Sequence, residues 1–81
     1  MTGPRTYEIL VNTRPRVVVG RTVTFEAVVQ LAFPNAPTSG LAFSMTYWHV
    51  ASTPQHGELA AGGFVEVKNG SIFNVTRTVQ S

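Results

Sequence analysis

The sequence predicts an α+β domain in which a mixed sheet of about five strands packs on one helix. Three observations lead to this prediction. Apolar residues alternate in residues 6–11 and again in residues 71–76, which is the period of a half-buried strand. Between them, residues 24–33 carry apolar side chains at the spacing of one helix face. An Asn-Gly pair at 69–70 stands directly before the last strand and is a strong turn signal.

The composition is that of one small folded domain. Of the 81 residues, 43% are hydrophobic and 12% are charged, a balance typical of folded chains. No stretch approaches the roughly 20 apolar residues that a membrane-spanning helix needs, so no membrane segment is expected. The absence of cysteine excludes a disulfide framework, a thiolate metal site and a cysteine nucleophile, and it favours an intracellular, cytoplasmic setting.

The first two strands are predicted to form a hairpin. Strict alternation places three side chains of residues 6–11 on one face, namely Tyr7, Ile9 and Val11. Residues 12–15 contain turn formers, and Pro15 cannot lie in a central strand because it has no N–H. Residues 16–19, of which the last three are β-branched valines, follow as the second strand.

Residues 24–33 are predicted to form the helix. Its apolar stripe consists of Phe25, Val28, Val29 and Ala32. Thr24 is the expected N-cap, Glu26 in the first turn suits the positive end of the helix dipole, and Pro34 ends the helix.

Three strands are predicted after the helix, at residues 41–50, 64–68 and 71–76. The glycines of the loop at residues 51–63 do not match a phosphate-binding loop, because no Gly-Lys-Ser/Thr is present. The Asn-Gly pair at 69–70 is predicted to join the last two strands as a type I′ hairpin. The first and last strands are expected to lie parallel at the centre, which is the β-grasp arrangement.

The sequence predicts two parts, a folded domain of residues 1–76 and an extended C-terminal tail of residues 77–81. Its one large apolar anchor is Val79. When extended, five residues reach about 17 Å beyond the fold. A frayed end without a function is the plainer alternative.

Much of the chain resembles bacterial ubiquitin-like domains of the multiubiquitin type. The matching segments are residues 7–12, 24–32, 45–47 and 65–78. The most specific part is the closing segment with Ile-Phe-Asn-Val-Thr at 72–76, whereas the other segments are general to β-grasp domains.

The resemblance implies a protein modifier encoded beside E1-like and E2-like enzymes and a processing peptidase, in systems often linked to phage defence. The E1-like partner would adenylate the carboxylate of Ser81 with ATP, and the E2-like enzyme would pass the modifier to a target protein. The domain is then a substrate of this cascade, binds no cofactor itself and is not an enzyme. Arg77, Thr78, Val79 and Gln80 form the tail that would contact the E1-like partner.

The chain departs from ubiquitin at its end, where Val79, Gln80 and Ser81 stand in place of two glycines. The same departure argues against a sulfur carrier that ends in a thiocarboxylate. Three alternatives remain open. The partner accommodates a side chain at the last residue, Ser81 is not the mature end, or the chain does not conjugate.

A partner-binding patch is predicted on the sheet face away from the helix, formed by Leu10, Trp48 and Ile72. It would be the analogue of the sheet-face patch used by ubiquitin. The alternative is that the loop at residues 51–63 folds over these side chains. A second class of function follows from the patch, a non-covalent interaction module whose tail is only frayed.

Other residue clusters point to no site. Arg14, Arg16 and Arg21 would suit nucleic acid, but a solvated loop is favoured because phosphate-binding domains usually use more than three arginines. His49 and His56 have no Cys, Asp or Glu at metal-ligand spacing, so no metal is predicted. The serines show no arrangement with His and an acid that would indicate a hydrolase.

Overall fold

The computed structural model describes residues 5–34 and 42–78. Within these ranges the elements are β1 Thr6–Val11, β2 Arg14–Val19, β3 Thr22–Thr24, α1 Phe25–Ala32, β4 Ala42–Trp48, β5 Gly57–Glu58, β6 Phe64–Glu66 and β7 Ser71–Thr78. Five strands form one mixed sheet in the order β2-β1-β7-β4-β5, and β3 pairs with β6 in a second sheet. The large sheet packed on one helix confirms the predicted α+β, β-grasp fold.

The first and last strands lie side by side at the centre of the sheet and run parallel, as the sequence predicts. Ile9 lies opposite Ser71, and Val11 lies opposite Phe73. On the other side of β7, β4 runs antiparallel to it. The centre of the fold is therefore built from residues that are far apart along the chain.

The core lies between α1 and one face of the sheet. The sheet contributes Ile9, Val11, Met45, Tyr47, Phe73 and Val75, and the helix contributes Phe25 and Val28. All of them are buried. They follow the alternation seen in the sequence, and each large buried side chain stabilises the fold by roughly 1.5–3 kcal/mol.

The caps of α1 agree with the sequence. Thr24 Oγ1 accepts a hydrogen bond of 3.1 Å from the Ala27 N–H, which makes Thr24 the N-cap. Glu26 Oε2 accepts one of 2.9 Å from the Gly62 N–H, so the first-turn carboxylate also holds the loop before β6. The helix ends two residues before Pro34.

The type I′ turn does not lie where it was predicted. Both central residues of the β1–β2 turn have positive φ, 51° for Asn12 and 68° for Thr13, as a type I′ turn requires. At the Asn-Gly pair, positive φ is found at Gly70 alone, as in a type II turn, so the predicted type I′ turn there is wrong. A 3.1 Å hydrogen bond from the Ser71 N–H to the Lys68 carbonyl closes that turn.

The predicted hairpin between the last two strands is also wrong. β6 pairs with β3 instead of β7, with Val23 opposite Val65. Both valines are buried and belong to the core. Three-residue strands are too short to show a period, and burial of these valines decides the pairing.

The second strand begins at Arg14, two residues earlier than predicted. Pro15 therefore lies inside a strand. Because β2 is at the edge of the sheet, a residue without an N–H is tolerated there.

Candidate functional site

Strand β7 carries the chain from the centre of the sheet toward its C-terminal end. Its pairing with β4 continues two residues past the predicted domain boundary, through Arg77 and Thr78. These two residues of the predicted tail are therefore part of the sheet, and the Arg77 side chain is exposed. Val79, Gln80 and Ser81 lie outside the described residues.

A side chain from the β1–β2 turn holds β7 shortly before this end. Asn12 Oδ1 accepts a 2.7 Å hydrogen bond from the Val75 N–H, and Asn12 Nδ2 donates one of 3.1 Å to the Val75 carbonyl. The Asn12 N–H donates to the Phe73 carbonyl at 2.9 Å. The Asn12 side-chain amide thus makes the two hydrogen bonds to β7 that a backbone residue would make if β1 continued straight on. We refer to the two side-chain bonds as the Asn12 clamp.

The beginning of β7 is fixed by a buried serine. Ser71 is 0% exposed, and its Oγ accepts a 3.0 Å hydrogen bond from the Lys68 N–H. The same Oγ lies 2.8 Å from the Lys68 carbonyl and 2.9 Å from the His49 carbonyl, and it can donate its proton to either. Both halves of β7 are therefore tied to neighbouring turns.

The three residues of the predicted patch lie in one row across the open face of the sheet, the face away from α1. Leu10 is opposite Ile72, and Ile72 is opposite Trp48. Pro15 continues the row on β2, opposite Leu10. Trp48 is 38% exposed, while Leu10 and Ile72 are half-buried between their neighbours. We call these four residues the open-face row.

The loop at residues 51–63 makes its contacts elsewhere. Its strand β5 extends the sheet beyond β4, and Leu59 packs against the core. The N–H groups of Ala51 and Ser52 donate to the Glu66 carbonyl at 2.7 and 3.3 Å. These contacts lie at the sheet edge and on the core side, which leaves Trp48 exposed in the open-face row.

The three arginines near β2 do not form one surface. Arg14 and Arg16 lie opposite the core residues Val11 and Ile9, so they project on the helix side of the sheet. Arg21 follows the other end of β2, and its Nε lies 4.0 Å from the Glu66 carboxylate. The arrangement divides the positive charge that a nucleic-acid site would need to concentrate.

The described residues offer neither a metal-binding cluster nor a membrane-spanning helix. Residues 5–34 and 42–78 contain no group of three or more His, Cys, Asp or Glu that could hold a metal ion. None of the helical structure in these ranges is long and apolar enough to cross a membrane.

The fold and its parallel central strands define a ubiquitin-like β-grasp domain. A family model described as multiubiquitin matches residues 7–79 of the chain. Because this match covers most of the chain, the protein belongs to the multiubiquitin family. No match was found among curated proteins or among solved structures.

Proposed function

We propose that this domain is a ubiquitin-like protein modifier whose C-terminal carboxylate is adenylated by an E1-like enzyme and passed through an E2-like enzyme to a target protein. The observation that carries the proposal is the course of β7. This central strand is tied at Ser71 and at the Asn12 clamp, and it remains paired with β4 through Thr78. The described part of β7 therefore forms a firm base, and threading of a tail into a partner would require such a base.

The last residues of β7 also suit backbone recognition. Beyond Val75, where the Asn12 clamp bonds, the described residues place no strand on the β1 side of β7. A strand of the activating enzyme could pair there with residues 76–78, because free backbone groups at a strand edge accept an added strand. The exposed guanidinium of Arg77 would meet an acidic groove on that enzyme.

The chemistry asks little of the domain itself. A carboxylate oxygen attacks the α-phosphate of ATP and releases pyrophosphate, which leaves an acyl adenylate. A thiol or hydroxyl of the enzyme then attacks the acyl carbon, loses its proton and displaces AMP. The domain supplies the carboxylate and the enzymes supply the remaining groups, so the domain acts as a substrate. A processing peptidase, a cytoplasmic setting and a role in phage defence belong to the same proposal and derive from the family likeness.

Intact mass spectrometry tests the proposal. The domain is incubated with ATP and the E1-like enzyme encoded nearest to its gene. We expect the mass of the enzyme to increase by the mass of the domain minus one water. The adduct mass also identifies the terminal residue that is activated. Deletion of residues 78–81 should abolish the adduct, whereas Gln80→Asn, which keeps tail length and carboxylate, should form it.

The deletion variant has to remain folded for that comparison. Its unfolding transition, followed by circular dichroism, should therefore match that of the full chain. Absence of an adduct, with an enzyme that exchanges pyrophosphate into ATP when given another modifier, would overturn the proposal. An adduct that persists after the deletion would place the reactive group elsewhere in the domain.

The second candidate is a non-covalent interaction module. The observation in its favour is the open-face row, in which Trp48 is exposed next to Ile72 and Leu10. Binding of a partner protein that survives deletion of residues 78–81 and is lost in Trp48→Ala would select this function over covalent modification.

A further inference from the structure

The outer edge of β2 is unpaired within the described part of the chain. Val11 and Arg14 flank the two-residue turn, so they exchange hydrogen bonds. Hydrogen-bonded pairs alternate along an antiparallel ladder, and the next outward-facing positions on β2 are Pro15, Val17 and Val19. Pro15 fits this assignment because it lacks the N–H that would face outward.

The neighbouring strand confirms the alternation. Glu8 lies opposite Val17, and its backbone groups point away from β2. The Glu8 N–H donates to Asn69 Oδ1 at 2.9 Å, and its carbonyl accepts from the Gly70 N–H at 2.9 Å. Val17 and Val19 therefore turn two N–H and two C=O groups toward the outer edge, where the described residues provide no partner.

The two faces of this edge offer different side chains. On the open face, Val17 is 63% exposed and Val19 is 68% exposed. On the helix side, Arg14 and Arg16 line a cleft of about 290 Å³ between β2 and the end of α1. The remaining lining residues are Val11, Asn12, Leu31, Ala32 and Phe33.

The cleft has positive charge without a carboxylate. The ion pair that the described residues form is between Arg21 and Glu66, and Arg21 lies at the other end of β2 from the cleft. The side-chain bond of Arg16 goes to the adjacent Pro15 carbonyl at 2.7 Å. The chain has four glutamates, separated in sequence, and no aspartate, so a second copy offers no acidic stretch that complements the cleft. A complementary acidic segment is therefore expected from a partner protein.

We propose that the edge of β2 binds an extended, acidic peptide segment of a partner protein as an additional strand. Four backbone hydrogen bonds at Val17 and Val19 would hold the segment. Since side chains alternate between the faces of a strand, its apolar residues would pack beside Val17 and Val19, and its acidic residues would lie beside Arg14 and Arg16. This site does not use the C-terminal tail and is independent of the proposed modifier function.

Amide hydrogen exchange tests the proposal directly. The probe is a capped peptide of alternating valine and glutamate, and the same peptide with glutamine in place of glutamate is the control. On binding, we expect exchange at the Val17 and Val19 amides to slow by about tenfold or more. The Arg16 and Val18 amides already bond to β1 and should be unchanged.

Two variants separate the backbone and charge contributions. Val17→Pro removes an outward N–H and blocks the added strand while leaving the bonds to β1 in place, so affinity should fall about tenfold. Arg14→Gln combined with Arg16→Gln should lower affinity about tenfold and remove most of its salt dependence. Arg21→Gln is the matched control and should bind like the unmodified domain. Unchanged exchange at Ile9 and Val11 shows that each variant is folded.

Several outcomes would overturn the proposal. The glutamine peptide could bind as tightly as the glutamate peptide, or binding could leave exchange at Val17 and Val19 unchanged. Protection of these amides that appears without peptide and rises with protein concentration would assign the edge to a second copy. Absence of binding at about 1 mM of the glutamate peptide, the weak limit of a specific contact, would also refute it.

Discussion

Replacement of Asn12 tests whether one turn side chain holds the C-terminal strand in place. Asn12→Gly removes both hydrogen bonds of the Asn12 clamp and keeps a residue suited to a φ of 51°. Asn12→Ala removes the same bonds but keeps a Cβ in the left-handed region, which alanine tolerates less well than asparagine or glycine. The two variants therefore separate the side-chain bonds from the backbone conformation.

The expected loss can be worked from the structure. Val75 is 5% exposed, so its freed N–H and C=O recover little hydration. At about 1 kcal/mol for each hydrogen bond, Asn12→Gly lowers the free energy of unfolding by about 2 kcal/mol. The left-handed alanine adds about 1 kcal/mol, which gives about 3 kcal/mol for Asn12→Ala. In a domain of this size, about 2 kcal/mol lowers the melting temperature by about 8–16 °C.

Urea unfolding followed by Trp48 fluorescence measures these changes, and exchange at the Val75 amide locates them. Exchange should quicken at Val75 in both variants, and the slope of free energy against urea should stay the same. The reasoning is refuted if Asn12→Gly unfolds at the urea midpoint of the unmodified domain.

Three further predictions concern single side chains. Thr13→Gly should stabilise the domain by about 1 kcal/mol, because a β-branched residue at a φ of 68° is strained; a lower melting temperature would contradict this. Ser71→Ala should cost about 1–3 kcal/mol in urea unfolding, since the Lys68 N–H loses its side-chain acceptor; an unchanged midpoint would show that the bond is dispensable. Trp48, the single tryptophan, should be quenched readily by acrylamide in the folded domain because it is 38% exposed; resistance to quenching would mean that the open-face row is covered.

Elements with their own local signal could be predicted from the sequence. β1 and β7 have alternating apolar residues, and α1 has an apolar stripe and an N-cap residue. These patterns predict where the three elements lie in the chain. Turns lie at residues 12–13 and 69–70, where the sequence predicts them, but the turn type at 69–70 was wrong because distant contacts decide it. At Gly70 the N–H bonds to the Glu8 carbonyl, while positive φ at Asn12 is compensated by its bonds to Val75. A dipeptide preference does not contain these partners.

The candidate site divides in the same way. Alternation within β1, β4 and β7 predicts that Leu10, Trp48 and Ile72 share a face, and pairing places them in one row. The Asn12 clamp joins residues that are 63 positions apart in the sequence. The free edge of β2 depends on which strand lies at the edge of the sheet. Neither can be read from a local pattern.

The parallel pairing of β1 with β7 has a mechanical consequence. The start of β1 and the end of β7 lie at opposite ends of the pair, because the two strands run in the same direction. A force that draws these ends apart acts along the strands and shears their hydrogen bonds together instead of opening them one by one. A motor that pulls the chain from beyond Thr78, while the protein is held through β1, has to break these bonds and the Asn12 clamp at once. Resistance to such force is set by the barrier to unfolding, so a domain of modest equilibrium stability can still yield slowly.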